Sequence, residues 1–325
     1  MKSTATRDAS PGVLDPTMHV EPIKKTGFNP LQALLLMRPK QWTKNLLVFA
    51  APLFTAGLGD QHKLFPALIA FAALCLASST IYVINDLLDV ERDRQHPKKC
   101  KRPIASGAVP VPVAIAMIPV LLIGALALAL LASKSAAILV GIYLVLQSTY
   151  NLGMKHTAVA DVFAISLGFV LRAVVGAAAI DVKISSWLLF CTGALALMLG
   201  YGKRRQEFIL KGEERGLTRE SLNHYSLQAL DALVIMSATA AAIAYGIYSI
   251  NSRTAQHFPA IILTSVPVIY GISRYLLVAF TQDEGGEPES LLFSDRHILL
   301  SVVAFIACAA IAMSGFKIPF LEGLR

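Results

Sequence analysis

The sequence predicts an all-α integral membrane protein, a bundle of nine transmembrane helices with polar loops that cap it on the cytoplasmic side. Of its 325 residues, 55% are hydrophobic and only 15% are charged, whereas about a quarter of the residues in soluble domains are charged. Apolar stretches long enough to cross a bilayer recur along almost the whole chain. They do not alternate between polar and apolar residues, as the strands of a membrane β-barrel would.

Nine apolar stretches define the predicted helices. They cover residues 31–57, 64–84, 112–132, 136–154, 157–180, 186–200, 229–249, 259–280 and 298–315. Arg38, Lys40 and Lys44 interrupt the first stretch, and the sixth is short for a membrane span. We expect Arg38 and Lys40 to anchor the chain at the membrane surface. Residues 1–30 are predicted to form a flexible cytoplasmic tail rather than a signal sequence, and residues 31–325 a single transmembrane domain.

The distribution of positive charge predicts how the bundle is oriented. With nine spans, the N-terminal tail and every second loop lie on the same side of the membrane. Most of the 29 lysine and arginine residues belong to that side. Because cations concentrate on the cytoplasmic face, the N-terminus is predicted to be inside and the C-terminus outside. The net charge of +8 therefore reflects topology, and no nucleic-acid partner is expected.

The end of the second helix carries a dense acidic face. If this helix continues beyond Ile84, a rotation of about 100° per residue places a phenol, an amide and three carboxylates on one side. They are Tyr82, Asn85, Asp86, Asp89 and Asp93. Carboxylates so placed repel one another unless a cation lies between them, and hard oxygen ligands suit Mg²⁺. The sequence therefore predicts a Mg²⁺ site there; the alternative is a solvated helix end.

Glu91 points to the other side of the same helix, and a basic run follows the acidic face. A Mg²⁺ ion at this position would carry a diphosphate. Lys99, Lys101 and Arg102 could then bind the remaining anionic oxygens. Each of the three could instead serve only the membrane topology, because a cytoplasmic loop is basic in any case. The acidic face, rather than the basic run, is therefore the feature that specifically predicts a metal site.

Further candidate phosphate contacts lie elsewhere on the predicted cytoplasmic side. Lys44 and Asn45 belong to "RPKQWTKN", where a buried lysine is costly unless it meets an anion or reaches the surface. Tyr82 borders the acidic face. Lys155 ends the fourth helix within "YNLGMKH", and here simple helix termination is the alternative.

Two cationic groups lie near the fifth and sixth helices. Arg172 lies deep in the fifth span, on one face with Asp161. Charges at such depth usually line a cavity, and the alternative is a structural pair with a neighbouring helix. After the sixth span, "GYGKRRQEF" places Lys203, Arg204 and Glu207 in one arc. Three cations and one acid in this stretch predict an anion clamp rather than a second metal site.

"NDLLDVERD" followed by "KRPIASG" resembles the N-D-x-x-D-x-x-x-D signature of the UbiA superfamily of intramembrane prenyltransferases. Those proteins are nine-helix bundles whose polar loops cap a lipid-filled cavity. Most carry a second aspartate-rich motif after the sixth helix, where this chain reads "GYGKRRQEF". Together with "RPKQWTKN", "YNLGMKH" and "GEPESLLFSDR", this departure makes the chain similar to the decaprenyl-phosphate phosphoribosyltransferase branch of the superfamily.

The resemblance implies a catalytic transmembrane domain and a Mg²⁺-dependent reaction in a bacterial inner membrane. A 5-phosphoribosyl group would move from phosphoribosyl pyrophosphate (PRPP) to a polyprenyl phosphate, for cell-wall arabinan-type precursors. The implied metal ligands are Asn85, Asp86, Asp89 and Asp93, of which Asp89 and Asp93 would be catalytic. The PRPP contacts would be Lys44, Asn45, Tyr82, Lys99, Lys101, Arg102 and Lys155, and the lipid-phosphate contacts Arg172, Lys203 and Arg204. A homo-oligomer is compatible with these features.

Three other functions compete with this interpretation. An ordinary prenyltransferase would join a prenyl diphosphate to an aromatic or other acceptor, and the missing second aspartate motif argues against it. A transporter or lipid flippase usually has polar groups near the membrane midplane, at broken helices in repeated halves. Here the polar groups crowd one side, with Arg172 as the chief exception. A purely structural membrane protein would leave the acidic face unexplained.

Overall fold

The computed structural model describes residues 29–55, 59–96, 99–211, 220–281, 291 and 294–314. Its α-helices are α1 (Pro30–Leu36), α2 (Ala50–Phe54), α3 (Gln61–Leu88), α4 (Val90–Gln95), α5 (Val111–Ala132), α6 (Lys134–Leu152), α7 (Ala160–Ala179), α8 (Ser186–Lys211), α9 (Leu227–Asn251), α10 (Arg253–His257), α11 (Ser265–Thr281) and α12 (Arg296–Met313). Short 3₁₀ segments cover Pro39–Phe49, Lys99–Lys101, Met154–His156, Glu220–His224 and Pro259–Thr264. Within these ranges the chain contains no β-strand, which confirms the all-α prediction. Most of the predicted tail, residues 1–28, lies outside the described part.

Seven helical segments of the described chain are long and apolar enough to cross a membrane. They are Gln61–Leu88, Val111–Ala132, Lys134–Leu152, Ala160–Ala179, Leu227–Asn251, Pro259–Thr281 and Arg296–Met313. The sixth predicted span corresponds to α8, which has 26 residues instead of 15 and ends in several polar turns. At about 39 Å, α8 is also long enough to cross the bilayer. The predicted count of nine spans is not reproduced exactly in the described residues, because the first predicted span, 31–57, is divided into shorter segments.

The chain between residues 30 and 54 turns at Arg38 and does not form one helix. α1 ends at Leu36, and Arg38 adopts a left-handed backbone conformation with φ 54° and ψ 61°. The following Pro39 explains the break, because proline disfavours the α conformation at the preceding residue. The chain continues as the 3₁₀ segment Pro39–Phe49 and packs against α3 and α7. Polar groups of this segment are thereby brought inside the bundle.

Gly176 of α7 allows the backbone of the 3₁₀ segment to pack directly against α7. A Cβ atom at this position would overlap the carbonyl group of Val48. We therefore expect Gly176→Ala to destabilise the protein by about 1–3 kcal/mol, the usual cost of overpacking, and to displace the segment that carries Lys44 and Asn45. A thermal unfolding curve in detergent would measure the loss. Gly246→Ala is the matched control, because no atom lies within 4 Å of the corresponding Cβ position; equal melting temperatures for the two variants would contradict this packing.

The two largest clusters of buried apolar side chains hold the long helices together. One lies among α3, α5, α6 and α7, and the other joins α7, α8, α9 and α11. α7 contributes to both and is therefore central. Because consecutive long helices run in opposite directions, the C-terminal ends of α3, α6 and α8 lie at one end of the bundle with the N-terminal ends of α7 and α9. We call this the polar end, since it carries most of the charged side chains discussed below.

Candidate active site at the polar end

The acidic residues lie at the junction between α3 and the short helix α4. α3 ends at Leu88, and Asp89 is the residue between the two helices. The helical hydrogen bonds nevertheless continue across the break, since the Asp89 N–H donates to the Asn85 carbonyl at 3.0 Å and the Asp93 N–H to the Asp89 carbonyl at 2.8 Å. This continuity returns Asp93 to the side of Asp86. Both carboxylates are buried.

Asp86 and Asp93 converge on a single cationic atom. Nη1 of Arg102 lies 3.1 Å from Oδ1 of Asp86 and 2.5 Å from Oδ2 of Asp93. Nη2 of Arg38 lies 2.5 Å from the same Asp86 oxygen. The Arg38 guanidinium also lies 4.8 Å from the centre of the Tyr82 ring, a cation–π contact. The two buried carboxylates are therefore close enough to share one positive charge.

The other members of the predicted acidic face are less buried than Asp86 and Asp93. Asn85 is half-buried, and Asp89 lies 3.9 Å from the exposed Arg92. Glu91 is 77% exposed, so it does point away from the buried carboxylates, as the helical periodicity predicted. The structure thus brings together Asp86 and Asp93 at Arg102, whereas Asp89 pairs with Arg92.

This donor set fits a metal ion that arrives with its own phosphate ligands. In the described part of the chain, no group of three or more His, Cys, Asp or Glu side chains could hold a metal ion. Mg²⁺ in phosphate-transfer sites is commonly held by one or two carboxylates, and substrate oxygens and water complete its octahedral shell. The Arg102 nitrogen already occupies the position of a cation between the two carboxylates. Asp86 and Asp93 therefore fit Mg²⁺, provided that a phosphate ligand accompanies it.

The lysines assigned to PRPP from the sequence lie on three different segments of the described chain. Lys99 and Lys101 are exposed on the 3₁₀ segment that precedes Arg102. Lys155 is half-buried in the 3₁₀ segment between α6 and α7, and Lys44 is half-buried beside Asn45. Arg102, which was also assigned to PRPP from the sequence, touches both carboxylates.

Arg172 lies deeper in the bundle and binds neutral groups. Its Nε donates to Oδ1 of Asn45 at 2.8 Å, and its other nitrogens donate to the Gly168 carbonyl and the Tyr143 hydroxyl. The Asn45 amide in turn reaches Ser78 of α3 at 3.4 Å. Ser78 precedes Asp86 by eight residues, about 12 Å along a helix. Arg172 and Asn45 therefore join α6 and α7 to the N-terminal segment, well below the acidic pair.

Arg204 forms a second polar centre at the end of α8. It is 2% exposed; its Nε lies 2.8 Å from Oδ2 of Asp161, which is fully buried, and its Nη1 lies 2.7 Å from Oε2 of Glu207. The Tyr225 hydroxyl approaches the other Asp161 oxygen at 3.5 Å and accepts a hydrogen bond from the Val159 N–H. Burial raises the pKa of Tyr225, so this hydroxyl stays protonated near neutral pH. These contacts tie α7, α8 and the chain before α9 together.

Arg205 and Lys203, the other two cations of the predicted anion clamp, lie next to Arg204 on α8. Arg205 binds Asp231 of α9 at 2.7 Å and the Ala279 carbonyl of α11. Lys203 is exposed. Arg204 and Arg205 of "GYGKRRQEF" therefore bind other parts of the protein, and the Lys203 side chain is exposed.

Comparison with known proteins identifies the family. Residues 46–202 match the model of the UbiA prenyltransferase family. The decaprenyl-phosphate phosphoribosyltransferase of Corynebacterium glutamicum is 35% identical over 283 residues, which cover 85% of each chain. The protein of the same name from Mycolicibacterium smegmatis is 35% identical over 291 residues, 85% of this chain and 91% of that one. The chain belongs to the UbiA prenyltransferase family.

Solved structures agree with this assignment at the level of the fold. A UbiA homolog from Archaeoglobus fulgidus bound to GPP and Mg²⁺ superposes with a TM-score of 0.67 at 19% identity, covering 87% of this chain and 99% of that chain. The same homolog bound to Cd²⁺ gives a TM-score of 0.63 at 18% identity, with the same coverage. These structures show that the chain has the UbiA fold. Its apolar helices and its curated relatives show that it is a multi-pass membrane transferase.

Arg38 is the residue of this UbiA-family transferase that the sequence did not assign to the site. It was expected to anchor the chain at the membrane surface, and it instead contacts Asp86 and Tyr82. Its left-handed backbone belongs to a sparsely populated region, and such residues cluster at functional sites. The Arg-Pro pair was the available signal, because it marks a break in the helix at a cationic side chain.

Proposed function

We propose that this UbiA-family transferase moves the 5-phosphoribosyl group of PRPP to a polyprenyl phosphate and releases pyrophosphate. The observation that carries the proposal is the convergence of the buried Asp86 and Asp93 carboxylates on one cation at the polar end. Two carboxylates can bind one metal ion that carries one diphosphate, which is what PRPP provides as the donor. Relatives that align over 85% of this chain are named for phosphoribosyl transfer to decaprenyl phosphate, which supports the same donor and acceptor here.

In this proposal, Asp86 and Asp93 would hold Mg²⁺, and Asn85 and Asp89 are the further candidate ligands from the same acidic face. Bound there, Mg²⁺ would neutralise charge that develops on the departing pyrophosphate. Arg102 is placed to bind a diphosphate oxygen, since its guanidinium already lies beside both carboxylates. The remaining proposed PRPP contacts are Lys44, Asn45, Tyr82, Lys99, Lys101 and Lys155.

The acceptor phosphate needs a cation at the membrane boundary. Lys203 is our proposed contact for it, because its side chain is exposed at the polar end of α8. Arg204, assigned to the same task from the sequence, is held by Asp161 and Glu207, so we propose that it fixes the end of α8 on which Lys203 lies. Arg172 similarly fixes Asn45 and, through it, the backbone of Lys44.

The proposed reaction requires that the two substrates be positioned and that the charge on the leaving group be neutralised; it requires no proton transfer. A phosphate monoester has a second pKa of about 6, so the acceptor oxygen is largely ionised at neutral pH. It would form a bond to the ribose C1 while the bond from C1 to the pyrophosphate oxygen breaks, which inverts the configuration at C1. The side chains of the polar end align the two phosphates and stabilise the charge on the leaving group.

We also propose that the polar end faces the cytoplasm of a bacterial inner membrane. In the described ranges, most lysine and arginine side chains lie at this end, and such residues accumulate on the cytoplasmic side. A phosphoribosyl lipid formed there would serve as a precursor of cell-wall arabinan-type polymers.

The deciding experiment is identification of the product. Purified protein in lipid nanodiscs would be incubated with labelled PRPP, Mg²⁺ and a polyprenyl phosphate, and the lipid fraction analysed by mass spectrometry. We expect a phosphoribosyl lipid and an equal amount of pyrophosphate, both dependent on Mg²⁺. The alternative, a prenyltransferase, predicts that PRPP is untouched and that a prenyl diphosphate is consumed with an aromatic acceptor instead. That outcome would overturn the proposal.

A further inference from the structure

The two arginines and two aspartates at the polar end form a charge-balanced set. Arg102 bridges Asp86 and Asp93, and Arg38 adds a second cation on Asp86. The carboxylates are almost entirely buried, at 3% and 2% exposure, whereas Arg38 and Arg102 are 28% and 27% exposed. The arginine heads can therefore move toward solvent, and the carboxylates cannot.

A divalent ion alone would disturb this balance. Mg²⁺ between Asp86 and Asp93 would stand where the Arg102 nitrogen lies and would bring two more positive charges close to both arginines. Like charges at such distances repel strongly in a partly desolvated site. A metal that arrives with a diphosphate has the opposite effect, because the diphosphate oxygens offer both arginines a new anionic partner.

We propose that Arg38 and Arg102 act as an arginine latch that makes metal binding conditional on the diphosphate. In the absence of a diphosphate, the latch neutralises Asp86 and Asp93 and competes with the metal. When metal and diphosphate bind together, both guanidinium groups move from carboxylate to phosphate oxygens. The inference rests on the proposed diphosphate site and adds Arg38 as a ligand of the leaving group.

The surroundings of Arg38 are suited to such a movement. Its guanidinium lies 4.8 Å from the centre of the Tyr82 ring, and this contact can persist when the salt bridge to Asp86 opens. Its backbone is fixed in the left-handed conformation between α1 and Pro39. The side chain can therefore change partner without any change in the path of the chain.

The latch predicts effects of opposite sign on two binding constants of the same variant. In Arg102→Gln, we expect Mn²⁺ alone to bind about tenfold more tightly, because a competing cation is gone. We expect Mn²⁺ with inorganic pyrophosphate to bind about tenfold more weakly, because a charge-assisted contact is lost. Calorimetric titration of the detergent-purified full chain measures both constants. Arg38→Gln should show the same two signs and keeps Arg102 in place if Arg102→Gln fails to fold.

Arg94→Gln is the matched control. It removes the same charge from neighbouring α4, but its partner is the exposed Glu91. We expect both binding constants of this variant to stay within about twofold of the wild type, as for a surface ion pair. The latch is overturned if the arginine variants weaken both constants or leave the Mn²⁺ constant unchanged. A failure of the proposed function would appear separately, as a wild type that binds Mn²⁺ and pyrophosphate together but transfers no phosphoribosyl group.

Discussion

Asp93→Asn should lower the turnover of PRPP by about 100- to 1,000-fold, the usual scale for losing one electrostatic contact to a developing charge. Asp93 is buried, and its carboxylate faces the cation position that it shares with Asp86. Asparagine keeps the shape and an acceptor oxygen for Arg102, so the fold should be retained. The release of pyrophosphate measures the rate, and a thermal unfolding curve checks the fold.

Glu91→Gln provides the control for this prediction. It removes a carboxylate from the same short helix, but the side chain is 77% exposed and points away from Asp86. We expect Glu91→Gln to retain wild-type turnover.

Higher Mg²⁺ concentration should restore part of the activity of Asp93→Asn, because a weakened metal site can be refilled by mass action. An Asp93→Asn protein with full activity would refute the role of this carboxylate.

Arg204→Gln should destabilise the protein by about 3–5 kcal/mol, the cost of breaking a buried ion pair on one side. The variant leaves the fully buried Asp161 carboxylate without its guanidinium partner and also frees Glu207. Thermal or denaturant unfolding in detergent would show the loss. The effect is expected whether or not substrate is present, because the contacts are internal to the protein.

Lys203→Gln separates this structural role from binding of the lipid. Lys203 is exposed on the same turn of α8, so its replacement should lower the melting temperature less than Arg204→Gln does and raise the KM for the polyprenyl phosphate. Combining Arg204→Met with Asp161→Leu should recover much of the lost stability, since apolar pairs often replace buried ion pairs without cost. Wild-type stability of Arg204→Gln would show that Asp161 is neutralised in another way.

The helical membrane class could be predicted from the sequence because a bilayer imposes strong rules on composition. A span needs about 20 apolar residues, and its backbone must satisfy its own hydrogen bonds. These rules located the seven apolar spans closely. For α8 the apolar signal stops near residue 200, although the helix continues to Lys211. The polar turns beyond that point are helical because Arg204 and Arg205 are bound by neighbouring helices.

Helical periodicity predicted the acidic face well because hydrogen bonding continues across Asp89. The spacing of Asp86 and Asp93 was therefore sufficient to place both on one side, and Glu91 on the other. The same reasoning could not show that Asp89 pairs with the exposed Arg92, whereas Asp86 and Asp93 share Arg102. Periodicity describes a regular helix and carries no information about a break.

The partners of the buried arginines could not be predicted from spacing along one helix. Arg204 binds Asp161, which is 43 residues away, and Arg172 binds Asn45, which is 127 residues away. Which of several cations meets which polar group depends on how the helices pack. The sequence showed that the depth of Arg172 is unusual, but its contact with Asn45 follows from the turn of the chain at Arg38, which places Asn45 inside the bundle.

The central claim is that Asp86 and Asp93 hold a metal ion that carries the diphosphate of the donor. The most direct test is an experimental structure with Mn²⁺ and pyrophosphate, in which anomalous scattering locates the metal. We predict one Mn²⁺ peak between the two carboxylates, with a pyrophosphate oxygen in its shell. A peak that lies elsewhere, while Asp86 and Asp93 still bind only Arg38 and Arg102, would contradict the account.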